Sequence, residues 1–185
     1  MKTASMLSLV TTLALAGLAS AQPAPAPALP DCSAAEYRAF DFWIGEWDAY
    51  DQTKGGLAGR SSIKREDNGC VITEHWVSVG SPTGGGYSGR SLNMYDRITG
   101  RWEQDWMDST GEVTHFVGGP IAGGMQLTDP ANRRTGGPTV QPFQTRMTFT
   151  ANPDGTVRQH GQASLDGGVT WVERYDYLYK PHKGD

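Results

Sequence analysis

The sequence predicts an all-β domain, an up-and-down antiparallel β-barrel of about ten strands with a short N-terminal helix. Three observations carry this. After residue 40 the chain runs as short alternating segments separated by turn signals, with no amphipathic helix among them. Its 24 glycines and 10% aromatic content suit short strands and tight turns better than helices. The first strand opens on Asp41-Phe42-Trp43-Ile44-Gly45-Glu46-Trp47-Asp48, a stretch holding two indoles, a phenyl ring and a glycine. At such an opening an indole closes one end of a barrel, and the glycine lets a neighbouring chain come close. A meander of this length must hide its edges, and closure hides them; a β-sandwich is the alternative.

The elements follow in order. Met1-Lys2 is a short positive region, Met6 to Leu18 an uncharged apolar core, and Ala19-Ser20-Ala21 a small-x-small cleavage site. Residues 1–21 therefore read as a signal peptide, which places the mature protein in the periplasm or outside the cell. The apolar core is too short to span a bilayer, so no stable membrane insertion is expected. Residues 22–31 form a Pro/Ala-rich leader of extended character, and residues 32–181 the barrel domain. Cys32 and Cys70 are the only two cysteines. In an exported chain an even count argues for a disulfide, here between the segment before the first strand and the start of the third. On the chain-entropy account it stabilises by about 4 kcal/mol.

Ser33 is placed to cap a helix over Ala34 to Phe40. The strands then read Trp43–Asp51, Leu57–Glu66, Cys70–Val79, Tyr87–Tyr95, Arg101–Asp108, Glu112–Gly118, Gly123–Thr128, Phe143–Ala151, Thr156–Ser164 and Val169–Tyr179. The turns between them are specific. Asp96-Arg97-Ile98-Thr99-Gly100 ends in a glycine suited to a left-handed position, and Asn152-Pro153-Asp154-Gly155 reads as a type I turn with a bulge glycine. Thr110-Gly111 and Asp166-Gly167-Gly168 close two more hairpins. Ser81 to Gly86 and Pro130 to Pro142 break the alternation and read as loops. The longer is either a plain connector or a lid over one end of the barrel.

The net charge is −4 with both signs interspersed and no basic run, which excludes nucleic acid as an expected partner. If Asp96 pairs with Arg101, then Tyr95 faces Trp102, Asn93 faces Gln104 and Ser91 faces Trp106, all on one side of the sheet. Extending the register through Thr110-Gly111 sets Trp106 opposite His115. The third strand adds Glu74 and Trp76 to one face. Indoles and a phenol give contact area and amides give direction, so Glu74, Trp76, Asn93, Tyr95, Trp102, Gln104, Trp106 and His115 are the candidate lining of a pocket for a small amphiphilic or hydrophobic molecule. The alternative is that these rings simply fill the barrel.

A buried Glu74 needs a partner, and His115, Arg146 and Arg174 are all candidates. Glu74 with His115 would be an acid–base pair for a small barrel isomerase or hydrolase, which is the second functional reading; a purely structural domain is the third. No residue is assigned as catalytic. The four histidines show no metal-ligand spacing, and no hydrolase elbow or nucleotide-cradling glycine motif occurs, so no metal or cofactor is expected. Ser164-x-Asp166-x-Gly168-x-Thr170-Trp171 resembles the Asp-box hairpin of sialidase-type propellers. One copy in a chain this short reads as a self-bonded turn with a Trp beneath it.

Phe40-Asp41-Phe42-Trp43-Ile44-Gly45-Glu46-Trp47, Gly69-Cys70-Val71-Ile72-Thr73-Glu74-His75-Trp76, Tyr95-Asp96 with Gly100-x-Trp102, and Asp166-Gly167-Gly168-x-Thr170-Trp171 together resemble an uncharacterised family of bacterial exported domains. That family is similar to lipocalin-like barrels and, more distantly, to the haem-holding nitrobindins. The lipocalin resemblance implies structural roles for Gly45 and Trp47 at the barrel opening. It also implies that Arg174, on the last strand, stacks on Trp47. The nitrobindin resemblance implies a haem-ligating histidine near the C-terminus, but Thr170 to Tyr179 contains none and His182 follows the last strand.

Overall fold

The structure is a computed structural model and describes residues 31–79, 86–129 and 143–184. The expected signal peptide at 1–21, nearly all of the leader at 22–31 and the stretch 130–142 lie outside the described residues. Ten strands follow one another: β1 Gly45–Asp51, β2 Leu57–Glu66, β3 Val71–Ser78, β4 Ser88–Asp96, β5 Arg101–Asp108, β6 Val113–Ile121, β7 Gly124–Thr128, β8 Gln144–Ala151, β9 Val157–Ser164 and β10 Val172–Pro181. Each pairs antiparallel with its sequence neighbour, and β1 pairs with β10, so the sheet closes into an up-and-down barrel. Closure removes the two edges that a ten-stranded meander would otherwise expose.

Alternation sets the faces as expected. Ile72, Glu74 and Trp76 of β3 are buried, while Val77 beside them is exposed. In the β4–β5 hairpin Asp96 pairs with Arg101, Tyr95 with Trp102, Asn93 with Gln104 and Ser91 with Trp106, the register that the intervening turn dictates. Asp96 holds this turn by accepting hydrogen bonds from the Ile98 and Thr99 amides. Its carboxyl is lowered below the usual range, first by the Ile98 amide.

One end of the barrel is plugged from within its own sequence. The helix α1 spans Ala35–Arg38 and a 3₁₀ turn spans Asp41–Trp43. Phe40 between them and Trp43 at the end of the turn are fully buried, their rings stacked 4.9 Å apart. Two indoles bond to this segment: Trp102 Nε1 donates to the Glu36 carbonyl at 3.1 Å, and Trp47 Nε1 to the Trp43 carbonyl at 2.9 Å. The Cys32–Cys70 disulfide, spanning 38 residues, ties the segment to the start of β3. Asp41 adds ion pairs to Arg38 and Arg65. Gly45 has φ of +156°, and a Cβ there would meet Trp47 Nε1 at 3.0 Å, so the glycine makes room for the Trp47 indole, where the sequence suggested room for a neighbouring chain.

Three expectations need correction. Trp43 lies in the 3₁₀ turn ahead of β1, not in the strand. Ser33 does not cap the helix: Ala34 holds that position, and the Ser33 hydroxyl donates to Asp31 Oδ1 at 2.9 Å. Arg174 does not cover Trp47. Trp47 pairs with Pro181 at the plugged end, whereas Arg174 sits toward the opposite end with its guanidinium 5.7 Å from the Phe143 ring centre. The opening indole is covered instead by Trp43 and by Tyr179, 6.4 Å away edge-on.

Candidate functional site

The other half of the barrel is not filled. A cavity of about 380 Å³ enters from the end carrying the β1–β2 and β9–β10 turns and reaches down to Glu74 and Tyr179. Its walls are aromatic. Trp76 stacks on Tyr177 at 5.5 Å, Tyr177 stacks on Tyr175 at 5.0 Å, and Trp106 and Phe116 line the facing strands. Its polar groups gather at the two ends.

At the floor, Glu74 is only 5% exposed. Its two oxygens accept from hydroxyls on the flanking strands, Ser61 at 2.9 Å and Ser91 at 3.1 Å. Behind Ser91 the bonds run in one direction. Gln104 donates to Asn93 Oδ1 at 2.6 Å, and Asn93 Nδ2 donates to Ser91 Oγ at 2.8 Å and to the Ile72 carbonyl at 3.0 Å. Burial pushes the Glu74 carboxyl up to about 7, although both serines act to lower it. Tyr179 donates to Gln159 Oε1 at 2.7 Å, and burial with the nearby Glu74 raises its hydroxyl well above the ordinary tyrosine value.

At the mouth stand two guanidinium groups. Arg146 lies 4.0 Å over the Trp171 ring and donates from Nε and Nη2 to Gln162 Oε1 at 3.1 and 2.6 Å. Partial burial lowers its pKa. Trp171 is itself fixed by the turn before β10, donating to the Gly168 carbonyl at 3.0 Å. In that turn Asp166 accepts from the Thr170 hydroxyl and amide and from Ser164, which hold its carboxyl at about 2. The hairpin is thus the self-bonded turn that its sequence suggested. A register shift between Glu173 and Tyr175 brings Arg174 to the cavity alongside Tyr175. Trp106 Nε1 and the Tyr87 hydroxyl both donate to Asp108 on the rim, at 3.2 and 3.1 Å.

Of the expected lining, Glu74, Trp76, Gln104 and Trp106 are in the cavity wall. Asn93 is fully buried one layer behind it, bonded to Gln104. Tyr95 and Trp102 belong to the plugged end, Tyr95 edge-on to Tyr37 at 5.1 Å and Trp102 under α1. His115 is outside the barrel. It pairs with Asp105, not Trp106, and its Nδ1 is 2.8 Å from Asp105 Oδ1. The turn explains the slip. Three residues, 109–111, separate Asp108 from Glu112, with Gly111 at φ +85°, where a two-residue loop was expected. A shift of one residue moves every side chain to the other face. The proposed acid–base pair is therefore corrected: Glu74 faces the lumen and His115 the exterior.

The sequence reading missed Tyr175, Tyr177 and Tyr179 as lining, together with Gln159 and Arg146. The Tyr-x-Tyr-x-Tyr alternation of the last strand was the available signal. None of the four histidines lines the cavity, and His182 bonds Asp48 at 2.9 Å. A nitrobindin-like haem, which needs its histidine, does not fit these residues. Among the described residues no group of three or more His, Cys, Asp or Glu is placed to hold a metal ion, and no helix is long and apolar enough to cross a membrane. No family model matches the chain, and no curated protein matches it significantly in sequence.

Proposed function

We propose that this protein is an exported, lipocalin-like binding barrel that carries a small amphiphilic molecule in its open half and performs no chemistry on it. The observation behind this is the cavity itself. Aromatic walls with charged and amide side chains at floor and mouth suit a ligand with an apolar body and polar ends, and about 380 Å³ falls in the range of small-molecule sites. The disulfide supports an oxidising compartment, and with the signal-like N-terminus supports a periplasmic or secreted protein.

The direct experiment is native mass spectrometry of protein purified from its own periplasm. A bound molecule lost on unfolding is expected. The fluorescent amphiphile anilinonaphthalene sulfonate should also bind stoichiometrically and quench tryptophan emission. No co-purified molecule, together with no probe binding by folded protein, would reduce the barrel to a structural domain.

A further inference from the structure

Glu74 lacks the partner that its position demands. Its carboxyl is almost fully buried, borders the cavity, and has hydroxyl hydrogens from Ser61 and Ser91 as its neighbours. None of the three cationic candidates from the sequence reaches it. His115 is outside the barrel, Arg146 is committed to Gln162 and Trp171, and Arg174 lies over Phe143. A buried carboxylate without a cation is costly, and removing the counter-charge leaves a site that a cation would satisfy. Each bond in the Gln104–Asn93–Ser91 chain points its hydrogen toward Glu74. The protein thus presents an acceptor, not a donor, to whatever reaches the floor. Trp76 and Tyr179, with ring centres 6.1 Å apart, also line the cavity.

The mouth has the opposite character. Arg146 and Arg174 make ring contacts, and Arg146 an amide contact, but neither forms a salt bridge among the described residues. Two guanidinium groups at an entrance disfavour a simple amine and favour an anionic group, which they can hold by charge-assisted hydrogen bonds. One molecule reconciles both ends.

Resting on the reading of the cavity as a binding site, we propose that its ligand is a small zwitterion. A protonated amine is seated against Glu74 at the floor, an anionic group lies against Arg146 and Arg174 at the mouth, and an apolar or aromatic body between them contacts Trp76, Trp106 and Tyr177. Burial that raises the Glu74 pKa is the same cost that an ammonium would relieve, so binding the cation and losing the carboxyl proton favour one another.

The test uses 4-(ω-aminoalkyl)benzoic acids, zwitterions at neutral pH, over a series of spacer lengths, each compared with its N-acetyl derivative and its carboxamide. Binding is followed by calorimetry and tryptophan fluorescence. The best-fitting parent should bind the wild-type protein about tenfold or more tighter than either derivative, the scale of one charge-assisted contact. Glu74→Gln should shrink the gap between parent and N-acetyl compound, and Arg146→Gln with Arg174→Gln the gap between parent and carboxamide. The ligand comparison needs no variant to fold, so it decides even if Glu74→Gln does not. If the derivatives bind as tightly as the parents, the charge assignment falls and the binding barrel stands. If neither these compounds nor anilinonaphthalene sulfonate bind folded protein, both fall.

Discussion

The two halves of this barrel are made of the same kinds of residue and end up doing opposite things. In the plugged half Phe40, Trp43, Trp102 and Phe149 pack ring on ring, with centres 4.8 to 5.6 Å apart, and fill the lumen. In the open half Trp76, Trp106, Tyr175 and Tyr177 border a cavity of about 380 Å³. Two features make the difference. Phe40 and Trp43 do not belong to the wall: the N-terminal segment delivers them from outside it. In the open half, glycine stands under the large rings. A Cβ on Gly59 would lie 2.4 Å from Trp76, one on Gly89 2.2 Å from Trp106, and one on Gly161 2.2 Å from Tyr175. Each ring can therefore lie flat along the wall and leave the centre clear. A barrel lumen is thus filled or kept open by what sits beside its aromatics as much as by how many it has.

The sharpest way to break the comparison is to delete one indole from each half. Trp47 is 6% exposed and its indole N–H is bonded to the plug. Trp47→Ala should cost about 3–5 kcal/mol in urea unfolding, as large buried aromatic deletions do. Trp106→Ala should cost at most about 2 kcal/mol, since its ring already borders empty space, yet it should weaken binding of anilinonaphthalene sulfonate. Equal stability losses for the two would mean that the halves are packed alike.

Next in size is the disulfide, which anchors the plug alone. Cys70→Ala should lower stability by about 2–4 kcal/mol while leaving the probe's affinity in the folded protein unchanged. Peptide mapping without reductant should recover the Cys32–Cys70 pair. A variant that loses affinity in proportion to stability would show that the open half depends on the plug.

Glu74 gives the open half a pH dependence opposite in sign to that of a lowered carboxyl such as Asp96 at the plugged end. Its pKa is raised from 4.5 to about 7 in the fold, so the native state holds its proton where the unfolded chain has released it. The unfolded state binds fewer protons between these values, and stability from this group falls as pH rises from about 4.5 to 7. The full effect is about 3 kcal/mol. Glu74→Gln should remove that decline, so the variant should match wild type near pH 4.5 and exceed it at pH 8, measured by thermal unfolding. A wild-type stability that is flat across this window would mean that the carboxyl is not desolvated.

These halves were not equally legible in the sequence. Strand number and the β4–β5 register followed from turn chemistry, because Asp96 and Gly100 allow few geometries. The β5–β6 register did not, since Thr110-Gly111 suits either a two-residue or a three-residue loop, and that single residue decides whether His115 faces in or out. Arg174 was misplaced along the strand: the β1–β10 register puts Pro181 opposite Trp47 and Arg174 toward the other end, which alternation cannot show. Glu74, Trp76, Gln104 and Trp106 were found because they alternate with outward residues, but Tyr95 and Trp102 alternate just as well and belong to the plug. Period-two patterning reports which face a residue takes, not whether the space before it is full. The missing signal was Gly59, Gly89 and Gly161, inward-facing glycines beside aromatics, where a packed barrel would place larger side chains.

That signal yields the smallest expected effect on stability and the most direct test of the contrast. In Gly161→Ala the new methyl would overlap the Tyr175 ring, which borders the cavity and stacks on Tyr177. The ring can swing inward, so unfolding should shift by only about 1 kcal/mol, at the low end of overpacking costs. The cavity should shrink, and affinity for anilinonaphthalene sulfonate should fall severalfold. Gly118→Ala is the control from the plugged half. There the methyl would meet the backbone oxygen of Gln126 at 1.9 Å, and a backbone group cannot rotate away. It should cost more stability than Gly161→Ala and leave probe affinity in the folded protein untouched. Should Gly161→Ala instead destabilise as much as Gly118→Ala, with binding intact, the Tyr175 ring is fixed in the wall and glycine is not what holds the lumen open.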